Sequence, residues 1–156
     1  MEFRILGPLQ VLEGGRELPL GSAKERSLLA VLLLHAGSVV SRARLIEELW
    51  GQAPPATAGK ALNVHVSQLR KALVSNDEVA IVTRAPGYAL EVEPDRVDAA
   101  RFERLVMEAR RRVAAGDVEA ASSLLREALS LWRGPALDGL EFEAAARNEE
   151  IGRAHV

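Results

Sequence analysis

The chain has 156 residues, a hydrophobic fraction of 48% and a formal net charge of −2. That leaves room for one ordinary domain, or one small domain and part of another, and argues against wholesale disorder. No apolar run approaches the roughly 20 residues of a membrane span, the start Met-Glu-Phe-Arg-Ile is not a signal peptide, and the absence of cysteine excludes a disulfide framework, a thiol catalyst and a thiolate metal site, so a cytoplasmic protein is expected.

Taken in chain order, Phe3–Leu6, Leu9–Leu12 and Glu17–Leu20 are short extended runs separated by Gly7-Pro8 and Gly14-Gly15, and they predict a small antiparallel sheet. Ser22 and Glu25 have the spacing of a capping box. The helix they open should run to about His35-Ala36 and stop at Gly37. Leucine and valine cover most of its circumference between Leu28 and Leu34, which marks a buried central helix. Val39-Val40 suits one short strand, and Ser41 can cap a second helix, Arg42 to Trp50, ended by Gly51. After a proline-containing loop, a third helix is expected from about Ala58 to Val74. Val79–Arg84 and Tyr88–Val92 then alternate as a hairpin around Ala85-Pro86-Gly87. Sheet, three helices and hairpin, in that order, form a winged helix-turn-helix of class α+β.

Glu91 to Asp98 is acidic, contains Pro94, and is the expected boundary between a domain over residues 1–95 and a second one over 98–150. Asp98 can cap a helix that carries Phe102, Leu105, Val106, Ala109 and Val113 and ends at Gly116. Asp117 can cap another with Val118, Ala121, Leu125, Ala128, Leu129 and Trp132, ended by Gly134-Pro135. Two antiparallel helices of this size match one unit of an all-α helical repeat, which needs neighbours to bury its apolar face. The final six residues, Ile151–Val156, are what a widely used sequencing-adapter string encodes (ATC-GGA-AGA-GCA-CAC-GTC). They are therefore expected to be a non-native tail, and the chain a C-terminally truncated fragment.

The charge is unevenly spread. Residues 1–97 carry 11 Lys/Arg and 11 Asp/Glu, yet Pro54 to Asn76 holds Lys60, Arg70 and Lys71 and no acid. On a helical wheel Leu62, Val66, Leu69 and Leu73 fall on one stripe, within about 60° at 100° per residue. Opposite lie Lys60, Val64, Ser67 and Lys71, with Asn63 and Gln68 beside them and His65 and Arg70 on the flanks. Cations for phosphates, amides for base edges and a valine for a thymine methyl are what a major-groove reader needs. Arg84, at the hairpin tip, is placed to enter an adjacent minor groove. Arg42 and Arg44, in the first turn of the second helix, suit backbone contacts or solvent. Trp50 and Tyr88 suit packing, and the Trp50 indole N–H is also placed to donate to a phosphate.

Three motifs carry a resemblance. Val-Val-Ser-Arg-x-x-Leu-Ile-x-x-Leu-Trp-Gly (39–51), Asn-Val-His-Val-Ser-Gln-Leu-Arg-Lys-Ala-Leu (63–73) and Thr-Arg-Ala-Pro-Gly-Tyr (83–88) resemble the OmpR-type winged helix. Together with Asp-Arg-Val-Asp-Ala-Ala-Arg-Phe (95–102) and Ala-Leu-Ser-Leu-Trp-Arg-Gly-Pro-Ala-Leu (128–137), the chain is similar to the Streptomyces antibiotic regulatory protein (SARP) family. In that family a winged helix precedes a tetratricopeptide-like bacterial transcriptional activation domain. The resemblance implies a dimer on direct repeats of double-stranded DNA near a promoter, recruitment of RNA polymerase, and control of a secondary-metabolite cluster. It carries major-groove roles onto Lys60, Asn63, Val64, His65, Ser67, Gln68 and Arg70, and a minor-groove role onto Arg84. Ser67 and Gln68 depart from the basic residues common in the wider OmpR class. No cofactor, metal or membrane is implied.

An enzyme is not expected, because Gly21-Ser-Ala-Lys-Glu25 lacks Walker A spacing and the three histidines lack ligand spacing. Two alternatives remain at this level. One is a helical-repeat protein-interaction module, which would ignore DNA; the other is the N-terminal part of a larger, ATPase-containing regulator.

Overall fold

The computed structural model describes residues 1–74 and 78–140. The expected tail at 151–156, and residues 141–150 of the expected second domain, lie outside that range. The first sheet consists of β1 (Glu2–Arg4), β2 (Gln10–Glu13) and β3 (Arg16–Glu17), antiparallel in that order. β1 stops two residues earlier than the sequence pattern predicts. The N–H groups of Ile5 and Leu6 leave the ladder and donate to the Asp98 carboxylate, at 2.8 and 3.1 Å.

The helix α1 (Ala23–Leu34) opens on the expected capping box, in which the Ser22 hydroxyl and the Glu25 carboxylate satisfy each other's backbone N–H. Leu28 to Leu32 are wholly buried, so this apolar-all-round helix is the centre of the core. Next come β4 (Val40–Ser41) and α2 (Arg42–Trp50), and Ser41 both ends the strand and caps the helix, its hydroxyl accepting from Arg44 N at 3.1 Å. The third helix, α3 (Ala58–Ala72), and the hairpin of β5 (Ala80–Arg84) and β6 (Gly87–Glu91) complete the winged helix. The second sheet runs β4-β6-β5, with Val40 opposite Tyr88. Here β4 crosses so close to the turn that a Cβ on Gly87 would lie 1.9 Å from the Val40 carbonyl oxygen. Only glycine fits there.

The helical pair is α4 (Asp98–Ala114) and α5 (Val118–Ser130), joined at Gly116, with Asp117 capping α5 through Ala120 N at 3.1 Å. α5 stops four residues short of Gly134, because the backbone of the following segment turns back to β1. Arg133 N donates to the Leu6 carbonyl at 2.8 Å and Leu137 N to that of Ile5 at 3.0 Å.

Asp98 is the main departure from the sequence reading. The α4 N-cap residue is Val97, not Asp98, and it makes no side-chain cap. The Asp98 carboxylate accepts from the Ala99 N–H of its own first turn and also from the chain that follows β1. Buried N–H groups cannot go unpaired without cost, and those of Ile5 and Leu6 have no ladder partner, so the carboxylate is held across the expected boundary. Phe3 also bridges to Val97. As a result Phe3, Ile5, Leu6, Leu28, Phe102, Leu105, Ala128 and Leu137 belong to a single buried cluster that runs through both parts. The outer face of α5 stays bare, with Val118, Leu125 and Leu129 exposed.

Candidate nucleic-acid interface

The amphipathic pattern of α3 sets the interface. Ala58, Leu62, Val66, Leu69 and Leu73 are buried against the core, while Lys60, Asn63, Val64, Ser67, Gln68 and Lys71 are exposed together on the opposite face. Val64 is 56% exposed. No acidic residue lies on this face. Among the described residues, no carboxylate pairs with Lys60 or Lys71. Thr57 makes no side-chain cap, so the first turn of α3 keeps N–H groups that point outward from a positive helix end.

The expected cations divide sharply by what holds them. Arg42 is used by the fold. Its Nη1 donates to Asn63 Oδ1 at 2.7 Å and to the Tyr88 hydroxyl at 3.1 Å, and its Nη2 donates to the Gly59 carbonyl at 3.0 Å. One guanidinium thus fastens α2 to α3 and β6. Arg70 is used in the same way: its Nε donates to the Ile81 carbonyl and its Nη2 to the Thr83 hydroxyl, both at 2.9 Å. The Arg42 and Arg70 guanidinium carbons lie 6.0 and 5.7 Å from the Tyr88 ring centroid, so both flank the same ring. Arg84 remains at the surface at the end of β5, 55% exposed, but lies back along the hairpin in an ion pair with Glu91. All three cations of α3 are exposed, but Arg70 is tied to the hairpin, while Lys60 and Lys71 have no ion pair among the described residues.

His65 is turned inward from the exposed face. Its Nδ1 contacts the Glu25 carboxylate and its ring lies 6.0 Å from that of Trp50, tilted by 32°. Glu25 explains the attraction. Burial works against its charge, but the Ser22 hydroxyl and backbone N–H and the His65 ring together hold its pKa below the ordinary carboxylate value. Trp50 sits between this histidine and Lys24, whose ammonium is 5.2 Å from the indole and donates to the Leu49 carbonyl. The sequence wheel places His65 on a flank, and the flank it takes belongs to α1.

Tyr88, Thr83, Gly59 and Glu91 were not singled out from sequence as partners of the reading residues. The only available signal was the Thr-Arg-Ala-Pro-Gly-Tyr run, which places a hydroxyl and an aromatic ring on either side of one turn. Among the described residues no group of three His, Cys, Asp or Glu could hold a metal ion, and no helix is long and apolar enough to cross a membrane.

Two family models match the chain. The model of the C-terminal domain of transcriptional regulatory proteins matches residues 15–90, and that of the bacterial transcriptional activator domain matches residues 97–154. The regulatory protein AfsR of Streptomyces coelicolor is 38% identical over 141 residues, covering 90% of this chain and 14% of AfsR. The regulatory protein DnrI of Streptomyces peucetius is 37% identical over 145 residues, covering 88% of this chain and 53% of DnrI. This chain therefore spans about half of DnrI and a seventh of AfsR. A solved structure of Mycobacterium tuberculosis EmbR, in complex with a phosphopeptide, superposes with a TM-score of 0.88 at 36% identity, covering 99% of this chain and 43% of EmbR.

Proposed function

This chain belongs to the Streptomyces antibiotic regulatory protein family, and we propose that it is a sequence-specific DNA-binding activator of secondary-metabolite biosynthesis genes. In this reading α3 lies in the major groove, the hairpin approaches the adjacent minor groove, and α4 and α5 begin the surface that recruits RNA polymerase. The observation that carries it is the acid-free outer face of α3, where Lys60 and Lys71 flank Asn63, Val64, Ser67 and Gln68. Lysines there neutralise phosphates, while amides, the serine hydroxyl and the valine methyls meet base edges. The reading includes a cytoplasmic protein that binds direct repeats as a homodimer and performs no catalytic step of its own.

The test is a titration of the full chain against a promoter duplex at several salt concentrations. Roughly five to eight phosphate contacts per domain predict a log–log slope on the order of −4 to −7, because each contact releases condensed counterions. Steep salt dependence with preference for one sequence supports the reading. A flat response, or no binding to any duplex, overturns it in favour of a protein-interaction module.

A further inference from the structure

We infer that Asn63 reads DNA as a hydrogen-bond donor alone, selecting a base that offers an acceptor in the major groove and rejecting cytosine. The inference rests on α3 being the groove-reading helix. It follows from accounting for every polar atom of one amide. A carboxamide oxygen has two lone pairs and its nitrogen two N–H donors. Arg42 Nη1 lies 2.7 Å from the Asn63 side chain, and a guanidinium can only donate, so the atom facing it must be Oδ1. The Tyr88 hydroxyl donates to the same oxygen at 3.4 Å, while its own lone pair takes a second bond from Arg42 Nη1 at 3.1 Å. One lone pair of Oδ1 is thus taken by Arg42 and the other faces the Tyr88 hydroxyl, so the oxygen is directed into the protein. Arg42 cannot easily swing away, because its other nitrogen is held by the Gly59 carbonyl on the turn below. What Asn63 has left for a ligand is its NH2 group.

The consequence differs from the usual behaviour of asparagine in a major groove. A free asparagine grips adenine with two bonds, its oxygen accepting from N6 and its nitrogen donating to N7. Here the first bond has no acceptor. Adenine retains only N7, and thymine only O4. Guanine offers two adjacent acceptors, N7 and O6, which match the two remaining N–H donors. Cytosine presents its N4 amino group, donor against donor. The order is guanine first, adenine and thymine similar to each other, and cytosine last.

The experiment measures relative affinities of the full chain for a set of duplexes in which every position of the bound site is replaced by each of the four pairs. Asn63→Ala locates the position, as the one whose preference flattens. At that position the unmodified chain should prefer guanine over cytosine about 5- to 10-fold, as expected for a contact weaker than a full bidentate pair. Asn63→Asp keeps one oxygen on Arg42 and presents the other outward as an acceptor, so the preference should invert to cytosine. Tyr88→Phe frees one lone pair of Oδ1, and adenine should gain at the same position. Adenine selected over guanine by the unmodified chain overturns the inference, as does an Asn63→Asp profile unchanged from it. DNA binding in which no position responds to Asn63→Ala also overturns it, while leaving α3 as the reading helix. Failure of the full chain to bind any duplex removes the functional reading itself.

Discussion

A guanidinium already spending its donors on the fold has little to offer a phosphate, and this separates the cations near α3 into two groups. Arg42 and Arg70 each make at least two internal hydrogen bonds, while Lys60 and Lys71 face solvent on the outer face. Lys60→Ala and Lys71→Ala should therefore weaken DNA binding equally across sequences, each lowering the salt slope by about 1, with thermal midpoints unchanged. Arg70→Ala should lower fold stability, by about 1–3 kcal/mol for its two hydrogen bonds and ring contact, which thermal unfolding reads directly. A salt slope unmoved by either lysine change would place phosphate contact elsewhere. Asp98 makes a second residue-scale case. Burial raises its pKa above the ordinary 3.8, against the N–H donors of Ile5, Leu6 and Ala99 and the nearby Arg133, all of which favour the charge. The folded state thus binds the proton more tightly than the unfolded chain does. The stability from this linkage is complete below 3.8 and is lost as pH rises through the folded-state pKa. Asp98→Asn removes the titration but keeps one acceptor, so its destabilisation relative to the unmodified chain should be largest near pH 4 and smaller at pH 7. Urea unfolding of both proteins at the two pH values checks the sign.

At the scale of elements, most of the fold is legible in the sequence, because periodicity and caps are local. The stripe Leu62, Val66, Leu69 and Leu73 predicts the buried side of α3, and Ser22, Ser41 and Asp117 cap the helices they were expected to cap. What sequence could not reveal were partners distant in the chain. Asp98 has the appearance of a local cap, yet its carboxylate is also claimed by two N–H groups more than ninety residues away. His65 has a helical position equally suited to a groove, and only the approach of Glu25 decides its direction. The hairpin shows the same limit: its strands and turn follow from alternation and Pro86-Gly87, but the pairing of Arg84 with Glu91 does not. That pair sets a prediction for the element. An exposed ion pair is worth about 0–1 kcal/mol, so Glu91→Gln should free the arginine and raise DNA affinity by up to roughly 5-fold. The gain should be greater for sites with A·T flanks, whose narrow minor groove attracts an arginine. Arg84→Ala should lose affinity on the same flanks and abolish the effect of Glu91→Gln. An unchanged Glu91→Gln response in the absence of Arg84 would show that the carboxylate acts only by repelling phosphate.

Across the whole molecule, the winged helix and the helical pair share one apolar interior, and this bears on how they unfold. Phe3, Ile5 and Leu6, each no more than 1% exposed, share one buried cluster with Phe102, Leu105 and Leu137 from the far side of the expected boundary. The Asp98 carboxylate and the backbone bonds from Arg133 and Leu137 cross the same line. Losing α4 would expose three large apolar side chains at about 1.5–3 kcal/mol each, and remove the two hydrogen bonds to Asp98 at about 0.5–1.5 kcal/mol each. A penalty of that order is comparable with the entire stability of a small domain. The two parts should therefore melt together instead of in sequence. The chain carries its own reporters, because its two tryptophans fall one on each side: Trp50 at the end of α2, and Trp132 after α5, edge-on to Phe102 at 5.7 Å. Trp50→Phe leaves a chain whose fluorescence reports only the helical side, and Trp132→Phe one that reports only the winged helix. In urea, each variant should show a fluorescence midpoint that coincides with its own far-ultraviolet ellipticity midpoint, which averages over both sides. Comparing probes within one variant cancels any stability lost through the substitution itself. A fluorescence transition that precedes the ellipticity change in one variant and lags it in the other would mean that the shared core does not couple them, and that residues 1–97 can fold and be studied alone.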